Sequence, residues 1–355
     1  MKKLRAALLG STGAVGQRYV SMLRDHPLIE LEVLMGGKSA GHSYGRSAHW
    51  LHPDAIPEET ARKRILASAP ESAKGCDVVF SALPAVAAAA IEEKFARSGF
   101  NVISEASAHR MDGDVPLMIP EVNPEHLGIL QVQKRRRKWK GSLVTTPNCT
   151  ATGLAIVMKP LVALGLDRAV VTSMQAVSGA GFPGVPSLLI MENVIPFIKN
   201  EEEKVAAESK KILGSKSDGG VRASGVEIAI SCNRVPVIDG HMETFYGEFQ
   251  GEVEPEEVTD SLNSFRGLPQ KLRLPSAPEK PIIVRTEPDR PQPRLDRLSG
   301  SVPGMSVVVG RVRKGMGDRS IQLTLLSHNT VRGAAGTAIL TAELMRSQGY
   351  LGGPG

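Results

Sequence analysis

The start of this chain constrains its fold most. An apolar run, Leu4 to Leu9, is followed at once by Gly10-Ser11-Thr12-Gly13-Ala14-Val15-Gly16, and then by a helical pattern through Tyr19, Val20 and Leu23 to Pro27. A strand, a glycine-rich turn and a helix in that order form the opening unit of a dinucleotide-binding sheet. The spacing is G-x-x-G-x-x-G, a variant of the usual G-x-G-x-x-G. Gly10 permits the tight turn, Gly13 lets a pyrophosphate approach the backbone, and Gly16 lets the helix pack on its strand. Glycine trios also arise by chance, so the weight rests on the position of this one directly after a strand.

The next strand, Ile29 to Met35, runs into Gly36-Gly37-Lys38-Ser39-Ala40-Gly41. NAD-binding sheets usually place an acidic residue there, on the ribose 2′-hydroxyl. Lys38 and Ser39 stand in its place and suit a 2′-phosphate, so the expected cofactor is NADP. The competing reading is that Lys38 is a solvated loop residue.

Further strands, Asp77 to Ser81 and Asn101 to Ser104, flank an alanine-rich helix from Ala85 to about Ser98. This alternation implies a Rossmann-like, doubly wound parallel sheet. Ligands of such sheets sit at the carboxyl ends of the strands. That edge collects the 10–16 turn, Ser81-Ala82-Leu83-Pro84, and Ser104 to Arg110. Arg110 is a candidate anion binder there, against the plainer reading of a solvated loop arginine.

In the middle, Thr146-Pro147-Asn148-Cys149-Thr150 precedes apolar residues at helical spacing, Leu154, Val157, Met158 and Leu161. Pro147 stops what precedes it and Asn148 can cap a helix, which sets Cys149 at a helix N-terminus. The helix end favours thiolate over thiol, and its unpaired N–H groups suit an oxyanion. The alternative is a buried cysteine packing as a small hydrophobe.

The second half reads as an α+β domain on a mostly antiparallel sheet. A strand, Ala169 to Met174, enters Gln175-Ala176-Val177-Ser178-Gly179-Ala180-Gly181, where small residues can bring backbone close to a ligand. Residues 190–213 are mostly helical in pattern, with Glu208 and Lys211 on one face. A strand from Val226 leads to Arg234 and, past a turn glycine, to His241, whose ordinary pKa suits a base. Residues 275–303 read as a long irregular connection, and Met305 to Arg313 with Ile321 to Ser327 as a hairpin. Asn329 is placed to cap a last helix, and residues 352–355 read as a mobile tail.

No run of about 18 apolar residues exists, so no membrane span is expected. The start of the sequence lacks the pattern of a secretory leader. Cys76, Cys149 and Cys232 cannot all pair and have no metal-ligand spacing, which points to no metal and to a reducing cytoplasm. The net charge of +6 suits anionic small substrates. The basic run 134–140 carries one aromatic and reads as a solvated surface, so no nucleic-acid partner is expected.

Taken together the motifs resemble aspartate-β-semialdehyde dehydrogenases of the archaeal and fungal type, over nearly the whole chain. The resemblance is carried by G-S-T-G-A-V-G-Q at 10–17, P-N-C-T at 147–150, Q-A-V-S-G-A-G at 175–181, E-S-K-K at 208–211, C-N-R-V-P-V-I-D-G-H at 232–241, and H-N-T-V-R-G-A-A-G at 328–336. The first motif is common to many dehydrogenases, and the set of the others is far more specific. The resemblance implies that Cys149 is the nucleophile, that Gln175 orients the acyl intermediate and that His241 is the acid/base. It implies that Arg234 grips the substrate carboxylate and Glu208 the ammonium. It also implies that Lys211 and Arg110 bind phosphate and that Asn148 lines that side. Residues 1–148 would bind NADP through the 10–16 turn, Lys38, Ser39, Ser81, Ala82 and Leu83. Residues 149–328 would form the catalytic and dimerisation domain and add Ser178 and Gly179. A helix over 329–349, opening with Asn329, would return to the first domain and complete the cofactor site. The substrate is expected to be a small molecule used with inorganic phosphate, and the assembly a homodimer or homotetramer. Rival readings are a malonyl-CoA reductase of the same superfamily, an N-acetylglutamyl-phosphate reductase, and an NADP-binding sensor without turnover.

Overall fold

The computed structural model describes residues 2–352, so residue 1 and the end of the glycine-rich tail, residues 353–355, lie outside the described residues. Its first sheet is parallel, in the order β3-β2-β1-β4-β5-β6. These strands are β1 Leu4–Leu9, β2 Ile29–Gly36, β3 Leu66–Ala67, β4 Val78–Ser81, β5 Asn101–Ser104 and β6 Ser142–Thr145. Alternate residues serve opposite faces. Ala6, Leu8, Val78, Phe80, Ile103 and Val144 enter one core, while Ala7, Leu9, Val79, Val102 and Leu143 enter the other. Helices cover both faces, which is why these strands read as unbroken apolar runs. The connections carry α1 Ala14–Met22, α2 Tyr44–Ser47, α3 Glu58–Arg62, α4 Ala85–Arg97 and α5 Leu130–Arg137.

Leu9, Ser81, Ser104 and Thr145 are neighbours in register across the carboxyl edge of this sheet. The chain leaves β6 at that edge, and Pro147 and Asn148 turn it into α6, Cys149–Ala163. The Asn148 side chain accepts from the amides of Thr150 and Ala151, a cap worth about 0.5–2 kcal/mol. Every residue from Thr150 to Met158 is buried, because α6 lies between the second sheet and the segments at 201–212, 255–264 and 331–335. Pro160 is tolerated near the far end of this helix.

The second sheet runs β10-β7-β11-β14-β13-β12. Its strands are β7 Leu166–Gln175, β10 Glu227–Arg234, β11 His241–Phe249, β12 Ile282–Val284, β13 Val307–Gly315 and β14 Gly317–Ser327, and a separate ribbon pairs β8 Ser215–Ser217 with β9 Gly220–Arg222. The two outer pairs, β10 with β7 and β12 with β13, are parallel, and the inner pairs are antiparallel. One face packs on α6, α8 Glu201–Ile212 and α9 Pro255–Ser264, while the other leaves Val170 54% exposed. Short helices α7 Ser187–Ile190, α10 Leu268–Lys271 and α11 Pro293–Asp296 lie in the connections. The last helix, α12 Gly336–Ser347, sends Ile339, Leu340, Leu344 and Met345 into the core of the first sheet.

Three expected elements differ. The 190–213 stretch is helical only from Glu201, because Glu192 and Asn200 take left-handed backbone and Pro196 lies between them. The 275–303 stretch contains β12 and α11, since Ile282 finds a partner strand in β13 that no local pattern announces. Asn329 does not cap α12. A π turn, Val331–Ala335, precedes that helix, and the Asn329 side chain bridges the Gly240 amide and the Ser178 hydroxyl instead.

Candidate active site

The ends of the second sheet converge on the start of α6. Arg234, the last residue of β10, pairs in register with Gln175, the last of β7, and His241 opens β11 opposite Ser327 of β14. This brings Cys149 Sγ to 3.1 Å from His241 Nε2. The other ring nitrogen, Nδ1, accepts the Ala176 amide proton at 3.1 Å. An amide can only donate, so the neutral ring carries its proton on Nε2, facing the sulfur. Burial, with Arg234 and His328 nearby, pulls the His241 pKa down to about 3, so the ring is neutral at physiological pH. This departs from the ordinary histidine value expected from sequence.

The thiol departs too. Burial pushes the Cys149 pKa up to about 12; Glu201 adds to this, while Arg110 and Arg234 oppose it. The helix terminus that was expected to favour thiolate is outweighed by desolvation. Asn148 also occupies the amides of Thr150 and Ala151, which leaves the Cys149 amide as the first-turn donor for an oxyanion.

Arg234 donates through Nη1 to the Ala176 carbonyl at 2.8 Å. A Cβ on Gly179 would lie 2.8 Å from that same nitrogen and 3.0 Å from His241 Cε1, so the absent side chain keeps this corner open. Gln175 is buried and donates from Nε2 to Ser173 Oγ at 3.2 Å.

The acidic and basic candidates are arranged otherwise than expected. Glu208 accepts from Arg110 Nη1 at 3.0 Å and from the Asn148 amide at 2.6 Å. Lys211 spends its three N–H donors on the carbonyls of Arg110, Asp112 and Val115, at 2.7, 2.8 and 2.9 Å. It therefore holds the segment that carries Arg110 and does not point a free ammonium at a ligand. Burial draws its pKa down to about 8. Arg110 also donates to the Glu105 carbonyl at 2.6 Å, and its buried Nε has no protein partner.

Two contributors escaped the sequence reading. Glu201, at the start of α8, accepts from Asn148 Nδ2 at 2.9 Å; its place one heptad before Glu208 was the available signal. Gly333 abuts Cys149, since a Cβ there would lie 2.7 Å from Cys149 Cβ. Its segment is anchored by Arg332, fully buried and forked onto Glu121 at 2.9 and 2.6 Å.

The first-sheet turn fits a dinucleotide. Gly10 has φ +73°, and a Cβ on it would lie 2.5 Å from the Ala82 carbonyl oxygen. A Cβ on Gly16 would overlap the Gly10 carbonyl, and Leu83 follows Ala82 against the same turn. Gly13, the residue before α1, makes no side-chain cap, so the amides from Ala14 to Gly16 remain for a phosphate. Thr12, Ala14 and Val15 are half-buried around it. Ser11 and Ser81 contribute backbone only, because their buried hydroxyls donate to the Met35 carbonyl and to Glu92. Lys38 is exposed and Ser39 half-buried at the carboxyl end of β2. A cavity of about 270 Å³ brings Ala14 and Arg18 of the first domain together with Ser178, Phe182, Asp239 and Thr330.

Family models describe residues 5–129 as "semialdehyde dehydrogenase, NAD binding domain" and residues 158–332 as "semialdehyde dehydrogenase, dimerisation domain". An aspartate-semialdehyde dehydrogenase of Archaeoglobus fulgidus is 50% identical over 95% of this chain and 96% of its own. The chain belongs to the semialdehyde dehydrogenase family. A malonyl CoA reductase (NADP) of Metallosphaera sedula is 45% identical over 99% of both chains. Among solved structures, the aspartate semialdehyde dehydrogenase of Candida albicans with NADP has a TM-score of 0.89 at 38% identity, covering 97% of this chain and 99% of its own. In this semialdehyde dehydrogenase the turn before α1 lies in the first matched range and His241 in the second, while Cys149 lies in the segment between them. Among the described residues no helix is long and apolar enough to cross a membrane.

Proposed function

We propose that this chain reduces L-4-aspartyl phosphate to L-aspartate 4-semialdehyde with NADPH, reversibly, through a thioacyl intermediate on Cys149. The observation that carries this reading is the 3.1 Å approach of Cys149 Sγ to His241 Nε2, in a chain 50% identical to an aspartate-semialdehyde dehydrogenase. The residues divide the chemistry as follows. The Cys149 thiolate attacks the acyl carbon, the bond to phosphate breaks, and the leaving phosphate, met by Arg110, takes its proton from solvent. The Cys149 amide faces the oxyanion, and Gln175 stands beside the acyl group. Arg234 grips the α-carboxylate, for which a guanidinium offers two parallel donors. The 10–16 turn, Lys38, Ser39, Ser81, Ala82, Leu83, Ser178, Gly179 and Asn329 would hold NADPH, which when bound would supply a hydride to the acyl carbon. When the C–S bond breaks, His241 Nε2–H donates to the departing sulfur. A thioester accepts hydride far more readily than a carboxylate, so one hard step becomes two easier ones.

The same reading divides the chain after residue 148 and returns α12 to the nucleotide domain, in keeping with its packing on the first sheet. It makes the enzyme a homodimer or homotetramer joined through the second domain, where Val170 on β7 is 54%, Leu188 on α7 95% and Phe197 in the connection to α8 69% exposed. Three free cysteines suit a reducing cytoplasm.

The test is NADP⁺ reduction with L-aspartate semialdehyde, with and without inorganic phosphate, beside NADPH oxidation with malonyl-CoA. Phosphate-dependent turnover without malonyl-CoA activity is expected. The reverse result would favour the second reading, thioester reduction, for which the 45% identical Metallosphaera sedula protein speaks. Two carboxylates at Asn148 favour a substrate that bears an amine.

A further inference from the structure

We infer that Glu105 is a positioning residue for Cys149, holding through Thr146 the turn that carries the sulfur, an inference that rests on the role given to Cys149 above. Glu105 follows Ser104, the last residue of β5, at the carboxyl edge of the first sheet. Its backbone is anchored on both sides. The amide donates to the Ser81 carbonyl at 2.9 Å, and the carbonyl accepts from Arg110 Nη2 at 2.6 Å. Its side chain spans two elements. Tyr19 Oη, from α1, donates to one carboxylate oxygen at 2.7 Å, and Thr146 Oγ1 donates to the other at 2.7 Å. One anchored carboxylate thus ties the helix of the glycine-rich turn to the segment that leads into α6.

The consequence for Cys149 follows from the short link between them. Thr146 is buried and stands three residues before Cys149, with its amide on the Ser104 carbonyl at 2.8 Å. Pro147 fixes φ at the next position, and Asn148 caps α6. A displacement at Thr146 therefore passes along a stiff link to the start of the helix. A carboxylate suits this place because it accepts at both oxygens and has no donor of its own, so hydroxyls from two segments can both donate to it. Burial draws the Glu105 pKa upward, while the two hydroxyls and the nearby Arg110 draw it back. A glutamine would keep the geometry. Its oxygen accepts from Tyr19, and its Nε2 donates to Thr146, whose own proton turns to the Ser104 carbonyl 3.3 Å away.

The test reads kcat, KM and the iodoacetamide rate at Cys149 in wild type, Glu105→Ala, Glu105→Gln and Thr146→Val, with L-aspartate semialdehyde, NADP⁺ and phosphate as substrates. In Glu105→Ala, kcat is expected to fall by about tenfold or more, with KM for the aldehyde within about threefold of wild type. A loosened turn admits water to the sulfur, so its alkylation rate at pH 8 is expected to rise by about threefold or more. Glu105→Gln is expected to restore most of the lost kcat. Thr146→Val is expected to lower kcat as well and to add little in the double variant with Glu105→Ala, since both remove the same bond. A Glu105→Ala enzyme with the kcat and alkylation rate of wild type would overturn the inference. So would a Glu105→Gln enzyme as slow as Glu105→Ala, or additive losses in the double variant. Should Glu105→Ala not fold, Thr146→Val decides: an unchanged kcat and alkylation rate there would also overturn the inference. A wild type that does not turn over L-aspartate semialdehyde would overturn the aspartyl reading instead, and the alkylation rates would still decide the role of Glu105.

Discussion

Cys149 Sγ and His241 Nε2 stand 3.1 Å apart, and the Ala176 amide on the far side of the ring decides which nitrogen bears the proton. A ring that accepts at Nδ1 and is held neutral by burial is a donor toward the sulfur. It is set up to stabilise a thiolate by hydrogen bonding, both the attacking and the departing one. Drawing the first proton from the thiol at Nε2 would need that nitrogen free.

Replacing Cys149 tests the centre of the proposed scheme. Cys149→Ser is expected to lower kcat by about three orders of magnitude or more, since a serine hydroxyl lacks both the acidity and the nucleophilicity of sulfur. Its affinity for NADP should match wild type in a fluorescence titration. Turnover near wild type would remove Cys149 from the mechanism.

The raised thiol pKa makes a kinetic prediction of definite sign. Below its pKa the sulfur is mostly protonated, and only thiolate is alkylated. In the enzyme without substrate, the iodoacetamide rate at Cys149 should climb by about tenfold per pH unit from pH 6 to 9 with no plateau, in keeping with a value near 12. A plateau below pH 8 would mean that the helix terminus outweighs desolvation after all.

Gly333 leaves no room for a methyl group. Gly333→Ala would put a Cβ 2.7 Å from Cys149 Cβ, and Cys149 or the π turn must move. The expected cost is about 1–3 kcal/mol of stability, with a fall in kcat larger than the change in KM. Thermal melting and steady-state kinetics on the same preparation check both parts.

Lys211 ties three backbone carbonyls of the segment that carries Arg110. Lys211→Met leaves those buried acceptors unpaired, at a cost of about 1–3 kcal/mol or more. The KM for phosphate should rise through displacement of Arg110, and extra phosphate should restore turnover. An unaltered melting temperature with a raised phosphate KM would instead make Lys211 a direct phosphate ligand.

Lys38 is exposed at the carboxyl end of β2, where no carboxylate follows the strand. Lys38→Glu should lower kcat/KM for NADP by about tenfold or more through repulsion of a 2′-phosphate, and leave NAD nearly unaffected. An equal loss with both cofactors would place the 2′-phosphate elsewhere.

Much was legible before any coordinates. The strand-turn-helix at 4–22, the parallel alternation through Ser104, the Asn148 cap and the position of Cys149 all follow from local pattern and the chemistry of single residues. These are short-range features, decided by neighbours along the chain. The partners of side chains were not legible. That Lys211 turns to carbonyls about a hundred positions away, that Glu208 pairs with Arg110, and that burial reverses the expected shift at Cys149 depend on how two sheets and α6 meet. The sequence by itself determined the opening elements and the edge at which the candidate residues gather. Only the tertiary structure decided which donor meets which acceptor and how far each group is desolvated, because both depend on contacts between segments remote in the chain.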